Sequence, residues 1–228
     1  MKKLLTVFIA AIYTLTVSSV YAEYADLPKV TRVLILGNSI TFHAKRPSIG
    51  WSGNWGMAAS TPDNDYVSRL ELKMRRKNPN VIVKADNIVR SFENKYWEFD
   101  ASSVSEYKDF NPDLIIISIG ENIRADTAKK YPLYNPMREL ITYLRSNNKD
   151  IPVVVVSSFW PNLQVDQQLG EFAKKEGLIY VNIGGIYKKN NKNTAFKSFT
   201  NPSIQIHPSD KGMKKIANRI WRQVRKVF

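Results

Sequence analysis

Cysteine is missing from all 228 residues, and histidine occurs only as His43 and His207. Without thiols the fold must close by its core alone, and thiolate nucleophiles and Cys-based metal sites are excluded. Two imidazoles argue against a histidine-rich zinc centre, although one histidine with carboxylates stays open; no metal or other cofactor is expected. Acidic residues are also sparse, 20 Asp and Glu against 34 Lys and Arg, for a formal charge of +14. That excess attracts polyanions such as acidic polysaccharide without selecting among them. Much of it sits in Arg75-Arg76-Lys77, Lys188-Lys189 and the final segment, where a solvated surface is preferred over a ligand site. Beyond the N-terminus no apolar run is long enough to span a bilayer.

The N-terminus itself reads as an export signal. Met1-Lys2-Lys3 precedes an apolar stretch from Leu4 to about Val20, and the small-residue site Val20-Tyr21-Ala22 comes before Glu23. Charge, apolar run and A-x-A-like site in that order predict cleavage near Ala22 and a secreted or periplasmic location. The alternative, a retained anchor, is disfavoured by the shortness of the run and by Thr14, Thr16, Ser18 and Ser19 within it. Residues 23–228 then suit one domain, with no membrane attachment after cleavage.

Within those residues, apolar β-branched runs recur at Val33-Leu34-Ile35-Leu36, Val81-Ile82-Val83, Leu114-Ile115-Ile116-Ile117, Val153-Val154-Val155-Val156 and Leu178-Ile179-Tyr180-Val181. Runs of this kind predict strands buried on both faces, hence a parallel five-stranded sheet. Between them, helical spacing aligns Tyr66, Val67, Leu70 and Met74, then Met137, Leu140, Ile141 and Leu144, and less regularly Val165, Leu169, Phe172 and Ala173. In the last segment Met213, Ile216, Ala217, Ile220, Trp221 and Val224 form a stripe opposite Lys214, Lys215, Arg219, Arg222 and Arg225. The alternation predicts a three-layer α/β/α sandwich whose ligands bind at the C-terminal edge of the strands.

Three short stretches at that edge carry chemistry. Gly37-Asn38-Ser39-Ile40-Thr41 ends the first strand, so Ser39 is placed either as a nucleophile or as an ordinary turn or capping residue. The G-x-S-x-G elbow of the other large hydrolase fold does not match, because Thr41 stands where its second glycine belongs. Ile119-Gly120-Glu121-Asn122 ends the middle strand, where the Asn122 amide could donate to a developing oxyanion, a contribution of about 3–4 kcal/mol when pre-aimed. It could equally be a plain strand-to-loop turn. Ile206-His207-Pro208-Ser209-Asp210-Lys211-Gly212-Met213 sets a histidine just ahead of the last helix, with Ser209 or Asp210 as its cap. An imidazole of near-neutral pKa can take a serine proton and return it to a leaving alcohol.

Taken in this order, the three stretches resemble the SGNH (GDSL-like) hydrolase superfamily over essentially the whole of residues 23–228. The resemblance implies a flavodoxin-like sandwich and metal-independent ester hydrolysis. It also implies Ser39 as nucleophile, His207 as base and Asn122 in the oxyanion hole, with the Ser39 N–H as a second donor. Gly50-Trp51-Ser52-Gly53-Asn54-Trp55-Gly56-Met57-Ala58-Ala59-Ser60 is similar to a subgroup of exported bacterial members.

Three positions depart from the superfamily pattern. The glycine that would donate an oxyanion N–H after strand two has no counterpart in Asn87-Ile88-Val89-Arg90-Ser91-Phe92-Glu93, and the backbone of Ser91 or Arg90 is the expected substitute. Ile123 replaces the acid that often follows the asparagine. Most seriously, Ile204 stands where an acid would orient the imidazole. Three outcomes are open: a backbone carbonyl near Ser203 to Gln205 holds the ring, a carboxylate from Glu93 or Glu121 does so, or catalysis is impaired. Asp210 is a poor substitute, because its position favours the helix start.

Trp51, Trp55, Trp97 and Trp160 all follow segments that leave the catalytic edge, where they would either pack loops or form a stacking platform for sugar rings. Asn38, Trp55 and Trp160 are the candidate substrate contacts. The leading expectation is a serine esterase acting on an O-acetyl or similar ester of a carbohydrate. An acyltransferase on the same residues and a non-catalytic basic glycan-binding module are the rivals. No nucleic-acid recognition motif is present, so no nucleic-acid partner is expected.

Overall fold

The computed structural model describes residues 30–146 and 148–228; the expected leader over residues 1–22 lies outside them. Five strands form one parallel sheet: β1 (Arg32–Gly37), β2 (Ile82–Asn87), β3 (Leu114–Ser118), β4 (Val153–Val156) and β5 (Ile179–Val181). Their order is β2-β1-β3-β4-β5, and every neighbouring pair is parallel. The expected three-layer α/β/α sandwich is the observed one.

β1, β3 and β4 occupy the middle, and there the continuous apolar runs belong, because both faces are covered. Leu34, Leu36, Ile115, Ile117, Val153 and Val155 join one core cluster, while Val33, Ile35, Ile116 and Val154, one residue out of step, are buried too. β2 departs from its expected limits. Val81 precedes it, Ile82 and Val83 open it, and it continues through Lys84, Asp86 and Asn87, tolerated because β2 is a half-exposed edge strand.

Seven helices are described: α1 (Tyr66–Arg75), α2 (Ser105–Asp109), α3 (Ala125–Lys130), α4 (Tyr134–Arg145), α5 (Leu163–Lys175), α6 (Pro202–Gln205) and α7 (Asp210–Val224). α1 packs on α7, whereas α4 touches α2 and α5 and adds Met137, Leu140, Ile141 and Leu144 to the cluster beneath Leu34 and Ile115. The apolar residues that the spacing aligned are the buried ones of α1, α4, α5 and α7, except Trp221, which is only half-buried; Gly212 of α7 is buried besides. Side chains cap three of them: Asp65 accepts from Ser68 N–H, Asn162 from Val165 N–H and Ser209 from Gly212 N–H. Among the described residues no helix is long and apolar enough to cross a membrane.

The strand order reverses direction between β1 and β3, since β1 leads to β2 on one side and β3 lies on the other. At such a switch point the connections diverge to opposite faces and leave a crevice beyond the strand ends. Gly37 and Ser118, the last residues of β1 and β3, are register partners there, so the turns carrying Ser39 and Asn122 flank that crevice.

The start of α7 is fixed by a close approach. A Cβ on Gly212 would sit 2.2 Å from the Asn193 carbonyl oxygen, and the Ser209 and Ala195 N–H groups donate to the Asn193 and His207 carbonyls across the same seam. Gly212→Ala would gain about 1 kcal/mol of helix propensity. The backbone clash outweighs this, so a net loss of about 1–3 kcal/mol is expected in chemical denaturation, and an unchanged or raised stability would refute the seam's tightness.

Candidate active site

Ser39 occupies a turn immediately past β1. Thr41 and Phe42 N–H both donate to the Asn38 carbonyl, and the Asn38 side-chain oxygen accepts from Ile40 N–H at 3.0 Å, which winds the chain tightly around Ser39. The Ser39 carbonyl accepts from Met57 N–H at 2.8 Å, tying the 51–59 loop to the turn. Among the described residues the Ser39 N–H has no internal partner, so it is free to donate to a ligand. Ser39 itself is partly exposed.

His207 reaches this turn from a segment 168 residues away in sequence, with Nε2 at 2.9 Å from Ser39 Oγ. Its other nitrogen, Nδ1, lies 2.8 Å from the Ser203 carbonyl oxygen. A carbonyl can only accept, so Nδ1 carries the ring proton and Nε2 presents a lone pair to the serine hydroxyl. α6 creates this contact. Asn201 caps it by accepting from Ser203 N–H, Pro202 starts it, and His207 N–H donates back to the Ile204 carbonyl. Ile204 has no accessible surface and packs with Trp51, Met57, Ala58 and Ala195. The residue in the acid's position is thus a core side chain, and the neighbouring main chain meets the ring instead.

The imidazole is 7 % exposed. Trp160 packs edge-on against it, ring centroids 4.9 Å apart, and is itself fixed by Nε1–H donating to the Ile206 carbonyl. Burial pushes the His207 pKa down to about 4, the Ser203 carbonyl opposes the shift by favouring the charged ring, and His43 adds a smaller depression. The ring is therefore neutral through most of the acidic range.

Glu93 and Glu121, the expected carboxylate partners of His207, do something else. Glu93, 2 % exposed, accepts from Gly120 N–H and, more loosely at 3.4 Å, from Asn38 Nδ2 through Oε1, and from Asn122 Nδ2 at 2.5 Å through Oε2. Glu121 accepts from Asn38 Nδ2 at 2.5 Å and from Phe159 N–H at 2.8 Å. The two carboxyls thus share the Asn38 amide, and the ring is held by Ser203. Burial, then the Glu93 charge, raises Glu121 to about 8; burial also raises Glu93, against the pull of its Gly120, Asn122 and Asn38 donors. Two buried carboxyls so linked do not both ionise cheaply, and the three donors around Glu93, against two around Glu121, favour the charge on Glu93.

Two of the three expected substrate contacts change. Asn38 is buried, with both ends of its amide engaged, so it organises the turn and is not free to meet a substrate. Trp55 sits edge-on to Trp51, with Nε1–H donated to the Ala59 carbonyl, and packs its own loop. Trp51 is fully buried and Trp97 stacks on Tyr131, which leaves Trp160 as the tryptophan placed against His207. Ser91 lies in the turn after β2, whose last residue Asn87 pairs with Gly37, and its hydroxyl is 3.5 Å from the Ile88 carbonyl. Asp210 is the first residue of α7 and binds Ser60 through its N–H and hydroxyl, away from the imidazole.

The depressed His207 pKa has a consequence for folding. Between about 4 and the ordinary 6.5 the unfolded chain binds more protons than the folded one, so stability falls as pH drops through that window. The slope approaches about 1.4 kcal/mol per pH unit at most. Denaturation at pH 7, 5.5 and 4 is expected to give a shallower dependence for His207→Gln than for the wild type, and equal dependences would contradict the burial. Ile204→Asp is expected to unfold the satellite core and not to build a triad, read as a lower melting temperature without a gain in turnover.

No family model matches the sequence, and no curated protein matches it. Solved structures do. A two-domain esterase active on acetylated mannans is similar at 17 % identity and a TM-score of 0.58, over 92 % of this chain and 52 % of that one. The salicylyl-acyltransferase SsfX3 from a tetracycline biosynthetic pathway is similar at 14 % identity and a TM-score of 0.59, over 88 % and 55 %. The chain spans about half the length of each of these two. A protein from Bacteroides uniformis described as resembling GDSL-like lipases gives 16 % identity and a TM-score of 0.52, over 86 % of this chain and 96 % of that one. The sheet order, the layers and these likenesses agree, and the fold of the chain is the SGNH hydrolase fold of the GDSL-like esterases and lipases.

Proposed function

We propose that the protein is a metal-independent serine esterase in which Ser39 forms an acyl-enzyme. The observation that carries the reading is the relay from Ser39 Oγ through the His207 ring to the Ser203 carbonyl, with contacts of 2.9 and 2.8 Å. In the first step His207 Nε2 takes the hydroxyl proton as Oγ bonds to the ester carbon. The carbonyl oxygen becomes an oxyanion, which the Ser39 N–H and Asn122 Nδ2 are available to receive. Collapse expels the alkoxide, which leaves with the proton from Nε2. Water then repeats the sequence on the acyl-enzyme, releasing the acid and restoring Ser39.

A neutral carbonyl stabilises the imidazolium less than a carboxylate would, and a ring with a pKa of about 4 is a weak base. The expected enzyme is therefore modest in turnover and tolerant of acid. Ile204 in the acid's place is no sign of impairment, since Ser203 supplies the missing acceptor, and this argues against a purely binding role.

The substrate class we favour is an acetylated carbohydrate met outside the cytoplasm. Asn122 is exposed and Ser39 partly so, which suits a bulky polar ester presented at an open crevice better than a long acyl chain needing burial. Trp160 offers an aromatic wall beside His207. The likeness to an esterase active on acetylated mannans and the signal-like N-terminus of the sequence support the same class. The likeness to an acyltransferase favours a second reading on the same residues, in which an alcohol replaces water. Capture of the acyl group by added methanol or a sugar, in preference to hydrolysis, would identify it.

On p-nitrophenyl acetate, Ser39→Ala and His207→Ala are expected to lower kcat by at least about 10³-fold. Turnover by Ser39→Ala equal to wild type would end the esterase reading. The acid limb of kcat/KM is expected near pH 4, since the free enzyme needs a neutral ring; a limb near 6.5 would place His207 in a far more solvated site.

A further inference from the structure

We propose that Glu93 is a positioning residue, whose buried carboxylate aims the Asn122 amide at the oxyanion. This inference rests on the reading of Asn122 as an oxyanion donor, and it assigns the segment after β2 a role that no glycine there fulfils.

Asn122 is exposed, and an exposed asparagine side chain normally samples several rotamers and both amide orientations. A donor that must reorient at the moment of reaction loses most of its value, because the benefit of an oxyanion hole lies in its being aimed beforehand. Glu93 removes that freedom in two ways. Its Oε2 accepts from Asn122 Nδ2 at 2.5 Å, and since a carboxylate only accepts, the flipped amide, with its oxygen against Oε2, is excluded. One N–H is thereby spent on Glu93, and the second N–H of the same nitrogen is held in a defined direction. Its Oε1 accepts from Gly120 N–H, so the same carboxyl grips the backbone two residues before Asn122.

The clamp also reaches the nucleophile. Asn38, the residue before Ser39, donates Nδ2 to Glu121 at 2.5 Å and to Glu93 Oε1 at 3.4 Å, while its own oxygen holds Ile40 N–H. One buried acidic pair therefore joins the turn after β1 to the turn after β3 across the switch point. A carboxylate behind an oxyanion donor carries an electrostatic cost, and its three donors spread the Glu93 charge. A buried carboxylate without hydrogen bonds would be costly, and all the donors to Glu93 come from the two turns that it joins.

In Glu93→Gln one face of residue 93 becomes a donor, so it opposes either Asn122 Nδ2 or Gly120 N–H. The test compares Glu93→Gln, Asn122→Ala, the double variant and Ser39→Ala in the full chain, with p-nitrophenyl acetate as substrate. Glu93→Gln is expected to lower kcat about 100-fold with KM within about twofold, and the double variant to be no slower than Asn122→Ala alone. A Glu93→Gln kcat within threefold of wild type, or losses that multiply in the double variant, overturns the proposal while the serine esterase reading stands. An Asn122→Ala enzyme with wild-type kcat, beside an inactive Ser39→Ala, removes the Asn122 reading and this proposal with it. Full turnover by Ser39→Ala removes the esterase reading as a whole. Should Glu93→Gln fail to melt cooperatively, the wild-type protein decides by NMR. The Asn122 side-chain amide, assigned by its disappearance in Asn122→Ala, is expected to show one downfield proton protected from exchange. Two unshifted, rapidly exchanging protons overturn the proposal.

Discussion

The hydrogen bond from His207 Nδ1 to the Ser203 carbonyl fixes which ring nitrogen carries the proton, and with it what the imidazole can do toward Ser39. A short helix supplies the acceptor. α6 turns the chain so that the carbonyl four residues before the histidine faces the ring, and its Ile204 side chain anchors the turn in a satellite core. A side-chain acid at 204 would have to leave that core to reach the ring, so packing and orientation are divided between two neighbouring residues. The division has a chemical cost in base strength, because a carbonyl dipole cannot match a carboxylate facing an imidazolium.

Around this relay two kinds of constraint operate. The sheet brings the ends of β1 and β3 together as register partners and so sets the spacing of the turns that carry Ser39 and Asn122. A polar network lies beneath them. The two carboxyls, held by Asn38, Asn122 and the Gly120 and Phe159 N–H groups, tie both turns to one another. The tight seam at Gly212 holds His207 against the 193–195 segment from the far side. Geometry of this kind depends on a rigid scaffold more than on any single strong contact.

The central strands were legible in the sequence because β1, β3 and β4 are buried on both faces, and a continuous β-branched run has few other uses. The edge strand was less so: Lys84, Asp86 and Asn87 in β2 face partial solvent, and nothing in a polar stretch announces a ladder. Ser39, Asn122 and His207 were legible as a set only through their resemblance to the superfamily's order, and of the three the structure brings Ser39 and His207 into contact. The contacts of Glu93 were not, since its partners Gly120 and Asn122 lie 27 and 29 residues away and a carboxylate outside the strands looks like surface. Asn38, Trp55 and Trp160 illustrate the same limit. All three come from loops at one edge, yet only the coordinates separate the buried amide, the loop-packing indole and the indole set against the imidazole.

The proposed chemistry needs a serine hydroxyl activated by one imidazole at an open crevice. Treatment of the protein with a fluorophosphonate, followed by intact-mass measurement and peptide mapping, tests it most directly. A single adduct per chain is expected, mapped to Ser39 and absent when the protein is unfolded before treatment. An unlabelled protein, or an adduct on another serine with Ser39 untouched, would contradict it.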